Sequence, residues 1–323
     1  MANLWLTWEY KKMQGGFFHE PVMVKEVVEM LLVNKKGIYV DGTIGGAGHA
    51  CALLENTDCF LVGIDRDDEA LLFAEKKLAR FGKRKILVKA NFFVLGEILK
   101  KLDIEKFDGV LFDLGVSSHQ LEKPERGFSF SFEAPLDMRM DQNSEISAYN
   151  VVNSFAQSDL ENIIRSYGEE KMAARIATAI IRQRWSAPIE TTSQLAAIVA
   201  KAIPAKFRMR KIHPATKTFQ AIRIAVNNEL SNIKPAINSA VEALKTGGRL
   251  CVISFHSLED RIVKNEFQFL AGSCICPKDA PFCVCERQPV LKLITKKALK
   301  SSPEEMHINP RARSARLRVA QRC

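Results

Sequence analysis

Three aspartates close three short apolar runs: Asp41 follows Ile38 to Val40, Asp65 follows Phe60 to Ile64, and Asp113 follows Gly109 to Phe112. The first run lies in GIYVDGTIGGAGH, residues 37 to 49, where Gly42, Gly45, Gly46 and Gly48 come directly after the acid and before the helix-compatible stretch Ala50 to Leu54. Strand, tight turn and helix in that order can hold a nucleotide-like group. Glycine takes positive φ and leaves no Cβ in a ligand's way, and a helix N-terminus offers unpaired N–H groups. An acid at the tip of the second strand, as Asp65 is, accepts hydrogen bonds from ribose hydroxyls. The glycine spacing is not the G-x-G-x-x-G that closes on a pyrophosphate, and no Lys-Ser/Thr pair follows to make a P-loop. Acids at two strand ends fit S-adenosylmethionine better than NAD or ATP. The competing reading is a tight connection that binds nothing.

Two further groups of residues could do chemistry. SFHSLED, residues 254 to 260, places His256 and Asp260 in a loop after a fifth apolar run, and Ser257 with Asp260 has the spacing of a helix cap. Cys274-x-Cys276 and Cys283-x-Cys285 lie close enough in sequence for four thiolates to surround one zinc, although the pairs are C-x-C and not C-x-x-C.

The elements that would position these residues follow from periodicity. Val22 to Leu32 and Asp67 to Phe81 carry helical apolar spacing, Ile86 to Lys89 reads as a third strand, Leu95 to Leu102 as a helix, and Gly109 to Phe112 as a fourth strand. Strands alternating with helices at this rhythm predict a parallel sheet with right-handed crossovers, whose ligands sit at the carboxyl ends where Asp41, Asp65 and Asp113 would gather. From Leu114 to Asn143 the pattern lapses into a long loop, and its Phe128, Phe130 and Phe132 supply area for burial or for stacking on bases. A helical block from Ala148 to about Ile203 follows, with capping boxes expected at Ser158-x-x-Glu161 and Thr191-x-x-Gln194, an apolar stripe through Met172, Ile176 and Ile180, and the basic exit Lys206 to Lys211. A long helical stretch from Thr216 to Leu244, a Gly247-Gly248 stop, a fifth strand Arg249 to Ile253, and closing strands Val290 to Ile294 and Ala315 to Val319 complete the chain. The expected organisation is a leader over 1–18, a core over 19–141 and 213–323, and an inserted helical domain over 142–212.

With 323 residues, 47% of them hydrophobic, the chain can bury a sizeable core. A net charge of +10 and a pI near 9.2 favour a polyanionic partner such as nucleic acid over a simply basic soluble protein. Eight cysteines without a secretory signal point to a reducing cytoplasm, and no apolar run is long enough for a bilayer. Met1 to Lys12 lacks the basic-then-apolar order of a signal peptide.

HEPVM at 19 to 23, DGTIGGAGH at 41 to 49, DLGVSS at 113 to 118, PERGFSF at 124 to 130, LDMRMD at 136 to 141, KTFQAIRIAVNNEL at 217 to 230, SFHSLEDRIVK at 254 to 264 and NPRARSARLR at 309 to 318 together resemble the ribosomal small-subunit methyltransferase H family, also called MraW. The resemblance covers nearly the whole chain beyond about residue 19. It implies a class I S-adenosylmethionine-dependent methyltransferase fold, Rossmann-like and mostly parallel, with a helical insertion. It also implies methylation of the N4 amine of one cytidine in the decoding region of 16S ribosomal RNA, within the small ribosomal subunit and without a metal. Motif by motif it assigns the cofactor to Ala47, Gly48, His49, Asp65, Phe92, Asp113 and Gln120. Ala47 stands where the family usually has glycine.

The cytosine amine donates its lone pair into the ring, so it needs an acceptor for its hydrogens and a fixed line of approach. Many amino methyltransferases carry Asp/Asn-Pro-Pro-aromatic here, whereas this chain has Asp113-Leu-Gly-Val. The expectation is that Asp113 or a nearby backbone carbonyl polarises the amine, with His256 or Asp260 orienting the base or accepting the proton. A structural role for His256 competes with this. Arg311 with Arg313, and Arg316 with Arg318, are expected to share strand faces and meet phosphates, or to form a solvated edge. Methylation of DNA or protein, and a non-catalytic ribosome-assembly factor with the same fold, are the alternative functions.

Overall fold

A computed structural model describes residues 21–205, 213–274, 276, 285 and 287–323. The leader over 1–18, His19 and Glu20, the basic stretch Lys206 to Lys211 and Cys283 lie outside the described residues. The strands are β1 (Ile38–Asp41), β2 (Phe60–Asp65), β3 (Lys85–Lys89), β4 (Phe107–Asp113), β5 (Leu244–Ser254), β6 (Leu291–Leu293) and β7 (Arg316–Arg322). They form a single sheet in the order β3-β2-β1-β4-β5-β7-β6. All neighbours pair parallel except β7, which runs antiparallel to both β5 and β6. This is the class I methyltransferase architecture.

Period-two alternation sends successive strand residues to opposite faces, and each face has its own core. Tyr39, Leu61, Leu111, Cys251 and Ile253 pack on one side with α1 (Val24–Leu31) and α2 (Gly48–Asn56). Val40, Val62, Val110, Leu250 and Val252 pack on the other, with α4 (Leu95–Lys101) and with the helices Ile233–Ala243 and Ser257–Leu270. Burial on both faces explains why these strands read as continuous apolar runs. The helix α3 (Asp68–Leu78) returns the chain from β2 to β3.

The inserted unit has a third core. After the short α5 (Ser118–Glu122) come α6 (Ala148–Ser154), α7 (Gln157–Gly168), α8 (Ala173–Ser186) and α9 (Thr192–Ala202). Ile176 and Ile180 of α8 are fully buried, as their stripe predicts, while Trp185 is exposed. This core also takes in Phe128, Leu136, Met138 and Met140 from the long loop, and Phe219, Ile222 and Val226 from α10 (Thr216–Asn227). The packing boundary of the insertion is therefore wider than 142–212.

One local expectation is refined and three are corrected. The helical stretch over 216–244 is divided in two, because Asn228 takes a left-handed φ of 49° that ends α10 before α11 (Ile233–Ala243). The cap expected from Ser158 is absent, for α7 starts after Ala156 with no side-chain cap, whereas the Thr191 and Gln194 capping box forms. At α12 (Ser257–Leu270) the cap is His256 with Glu259, and Ser257 instead donates its hydroxyl to Glu169 Oε2 at 2.6 Å. Arg311 and Arg313 lie in a 3-10 turn, Pro310–Arg313, that follows α13 (Pro303–Ile308), so they share no strand face.

Candidate functional site

The tips of β1, β2 and β4 are adjacent in the sheet, so their three acids converge and their carboxylates hold the turns between them. Asp41 Oδ1 accepts the Thr43 N–H at 3.2 Å, and Asp65 accepts the Gly45 N–H at 2.9 Å and the Asp67 N–H at 3.0 Å. Thr43 Oγ1 accepts the Asp113 N–H at 2.6 Å, and Lys77 Nζ donates to the Gly46 carbonyl at 2.8 Å. Gly42 must be glycine for space, since a Cβ there would lie 2.5 Å from the Phe112 ring. Gly45, at φ +44°, would place a Cβ no closer than 3.7 Å to anything, which leaves that face of the turn open. Ala47, at the N-cap of α2, holds φ 52° and ψ 31°, the left-handed region that glycine occupies without strain.

Below this turn lies a cavity of about 380 Å³, the space in which the sheet, the glycine turn and the inserted unit meet. Gly48, His49, Asp65, Phe92, Asp113 and Gln120 line it. One assigned residue does not: Ala47 is fully buried in the apolar core behind the turn. Asp41, expected to gather with the other two acids, is buried as well and does not line the cavity. Phe92 packs against Phe112 with ring centroids 5.3 Å apart.

The three acids are crowded and buried. Burial, with the charge of Asp65 adding to it, pushes Asp41 up to about 7, and burial likewise raises Asp65. Asp113 is held well above the usual carboxylate range by burial and then by the charges of Asp41 and Glu259. Its Oδ1 is buried with no hydrogen-bond partner among the described residues. The imidazole near it supplies no cation: His49 Nε2 lies 2.9 Å from the Val22 carbonyl, so it carries the hydrogen there, and burial lowers the ring to about 4. The bare Nδ1 then sits 3.8 Å from Asp113 Oδ2. Three crowded acids, an orphaned carboxylate oxygen and an open glycine turn make a cradle suited to a cationic, adenosine-bearing ligand such as S-adenosylmethionine.

One wall hangs from a buried guanidinium. Arg126 is 1% exposed and donates to Asp67 Oδ2, to Glu69 Oε2, and to the carbonyls of Arg139 and Met140, each at 3.0 Å. Asp67 also caps α3 and accepts from Gln120 Nε2 at 2.8 Å, so Gln120 is fixed through the same carboxylate. Asn227 completes the arrangement by accepting the Met140 N–H and donating to the Met138 carbonyl. Phe128 and Phe130 line the cavity from this loop. Phe130 also stacks edge-on to Phe219 with centroids 4.9 Å apart, while Phe132 is 55% exposed.

The opposite wall is a polar group of four. Arg223 clamps Glu229 through two bonds of 2.9 and 2.8 Å. His256 Nδ1 accepts the Glu259 N–H at 3.5 Å, and its Nε2 lies 3.1 Å from Glu259 Oε1. Burial pushes the Glu259 carboxyl up, but His256, the Phe255 amide and Arg223 outweigh it and hold the group below its ordinary range. All four residues line the cavity, as does Arg311. Asp260 does not. It faces β7, where Arg318 binds both its oxygens at 2.7 and 3.1 Å and Arg316 adds a bond at 2.9 Å. The arginine pair thus shares a strand face as expected, and that face meets a carboxylate.

Sequence reasoning missed Asp67, Arg126, Arg223, Asn227, Glu229 and Glu259. Four signals were legible. Arg126 sits inside a motif-like stretch, Glu229 shares one with its partner Arg223, and Glu259 stands at the third position after His256, where a capping box puts its acid. Asn227-Asn228 also has the composition of a left-handed helix stop.

A family model described as the MraW methylase family matches residues 16–323. A protein of Syntrophus aciditrophicus named "Ribosomal RNA small subunit methyltransferase H" is 55% identical over 307 residues, 94% of this chain and 98% of its own length. A protein of the same name from Clostridioides difficile is 48% identical over 308 residues, 95% of this chain and 99% of its own. Among solved structures, a putative methyltransferase from Streptococcus mutans in complex with SAH aligns over 95% of this chain and all of its own, with a TM-score of 0.43 and 12% identity.

Proposed function

The chain belongs to the MraW methylase family, and from that premise we propose that it methylates small-subunit ribosomal RNA, moving the methyl group of S-adenosylmethionine to the N4 amine of a cytidine in the decoding region. Bound in the cradle, S-adenosylmethionine would supply an electrophilic methyl on a sulfonium. The residues that would hold it are Gly48, His49, Asp65, Phe92, Asp113 and Gln120, with Ala47 setting the angle of the turn from behind. Asp65 would meet ribose hydroxyls and Phe92 the adenine face.

The chain's own part in the chemistry rests on Asp113. Its unpartnered Oδ1 is an acceptor at the cavity, and accepting a hydrogen from the exocyclic amine would return lone-pair density to that nitrogen. His256 Nδ1 accepts the Glu259 N–H and its Nε2 lies 3.1 Å from the Glu259 carboxylate, which makes the imidazole a positioning residue that shapes the wall facing the base. Asp260 supports that wall from behind through β7. A cytidine must leave its stack to reach such a site, and the aromatic loop with the basic inserted helices suits an unstacked RNA strand. The chain contains no helix long and apolar enough to cross a membrane among the described residues, and ribosomal subunits in the cytoplasm are the proposed partner.

The observation that carries this reading is the orphaned Asp113 oxygen in a cavity shared by the glycine turn and the polar wall. Asp113→Ala should reduce methyl incorporation into small ribosomal subunits by about 10²-fold or more, with cofactor affinity measured separately by calorimetry. Full transfer by the variant would remove Asp113 from the mechanism. Mapping methylcytidine on 16S RNA from cells with and without the gene tests the acceptor, and methylation of DNA or protein in place of subunits would overturn the substrate.

A further inference from the structure

The chain leaves α12 through Gly272, at φ 78°, and reaches β6 only after a segment rich in cysteine and proline. Backbone hydrogen bonds fasten both ends: Ser273 N–H donates to the Gln268 carbonyl at 3.0 Å, and Val290 N–H to the Leu270 carbonyl at 2.8 Å. The ends of the loop are thus tied to the same turn of α12. Between them, Cys274, Cys276 and Cys285 bring their Sγ atoms within 4.8 Å of one another.

The separation of Cys274 Sγ from Cys285 Sγ is 3.8 Å. A disulfide would need about 2.05 Å. Thiolates bound to one tetrahedral zinc at about 2.3 Å stand about 3.8 Å apart along each edge of the tetrahedron. The observed spacing is that of sulfurs arranged around a common centre. Soft thiolates select zinc over hard cations, and zinc adds no redox chemistry of its own. A second feature fits. Arg287, two residues beyond Cys285, lies 3.6 Å over the Phe269 ring with its Nη1 buried and without a hydrogen-bond partner among the described residues. Three thiolates on a divalent ion form a net anionic centre, and Arg287 puts a cation two residues along the chain from one of its ligands.

We propose that Cys274, Cys276 and Cys285 bind a zinc ion that pins the loop between α12 and β6. The sequence carries a further thiol, Cys283, outside the described residues, which the proposal does not require. The site follows the C-terminal end of α12, the helix whose N-cap is His256, and none of its three cysteines lines the cavity. Its role is structural and separate from methyl transfer.

Full-length protein purified under reducing conditions without chelators should contain about one zinc per chain by elemental analysis. Replacing zinc with Co²⁺ should give the thiolate-to-cobalt charge-transfer band of a tetrahedral sulfur site. Cys274→Ser and Cys285→Ser should lose both signals, while Cys323→Ser keeps them. If the serine variants fail to fold, competition between wild-type protein and a chromophoric chelator gives the same answer without them. Zinc at background level with no cobalt–thiolate band, or the three cysteines found oxidised in reduced-purified protein, would overturn the proposal.

Discussion

Replacing Arg126 with methionine tests the view that one buried guanidinium holds the cavity wall to the sheet. Methionine keeps most of the side chain's apolar length and removes every donor. Glu69, whose side chain is 34% exposed, can regain water and should contribute little to the loss. Asp67 cannot, because its side chain is 4% exposed and only Gln120 would still donate to Oδ2. Breaking a buried pair from one side costs about 3–5 kcal/mol, a large share of the roughly 5–15 kcal/mol that stabilises a typical domain. In a thermal scan this is a fall of roughly 6 to 20 °C. Urea unfolding at neutral pH gives the free energy, and calorimetry with S-adenosylmethionine should show affinity reduced at least about tenfold, or 1.4 kcal/mol, because Gln120 rests on the same carboxylate. Adding Asp67→Asn to the variant removes the stranded charge, so the second substitution should cost less there than in wild type, with a coupling of about 1–3 kcal/mol. A loss below about 1 kcal/mol for Arg126→Met, or strictly additive double-variant energies, would refute the reasoning.

Two further outcomes follow from the same geometry. In ligand-free protein Asp41 keeps its proton up to about pH 7, while the unfolded chain releases it near pH 4. The fold therefore loses stability as pH rises through that window and levels off above it, by an amount on the order of 4 kcal/mol. Asp41→Asn should flatten this contribution in urea titrations across the window, and an unchanged pH slope would contradict it. Asp260→Asn should destabilise the protein by about 1–3 kcal/mol through its arginine partners while leaving turnover within a few-fold. A stably folded variant without activity would return Asp260 to the reacting centre.

The strands, their order of appearance and the acids at their tips were legible because the physics that makes them is local. Period-two burial, glycine directly after Asp41 and the repeat of strand with helix are all written within a few residues, and the strand boundaries lie within about two positions of their expected places except the start of β5, at Leu244 in place of Arg249, and the end of β7, at Arg322 in place of Val319. Motif resemblance extended this to individual residues, and six of the seven assigned cofactor positions line one cavity. Ala47 differs because an N-cap in the left-handed region points its methyl into the core, a consequence of backbone angle that composition does not reveal.

What the tertiary structure alone decided were the partnerships between distant segments. SFHSLED offers two acids at adjacent positions, and sequence cannot say which faces the cavity. The pitch of α12 turns Glu259 inward to His256 and Asp260 outward to Arg316 and Arg318, more than fifty residues away. Arg126 finds Asp67 across fifty-nine residues, and Asn227 finds the loop at Met138 and Met140 across nearly ninety. Such pairs carry no periodic signature. A buried charge is tolerated only where folding delivers its complement, so its meaning is fixed when the chain closes and not before.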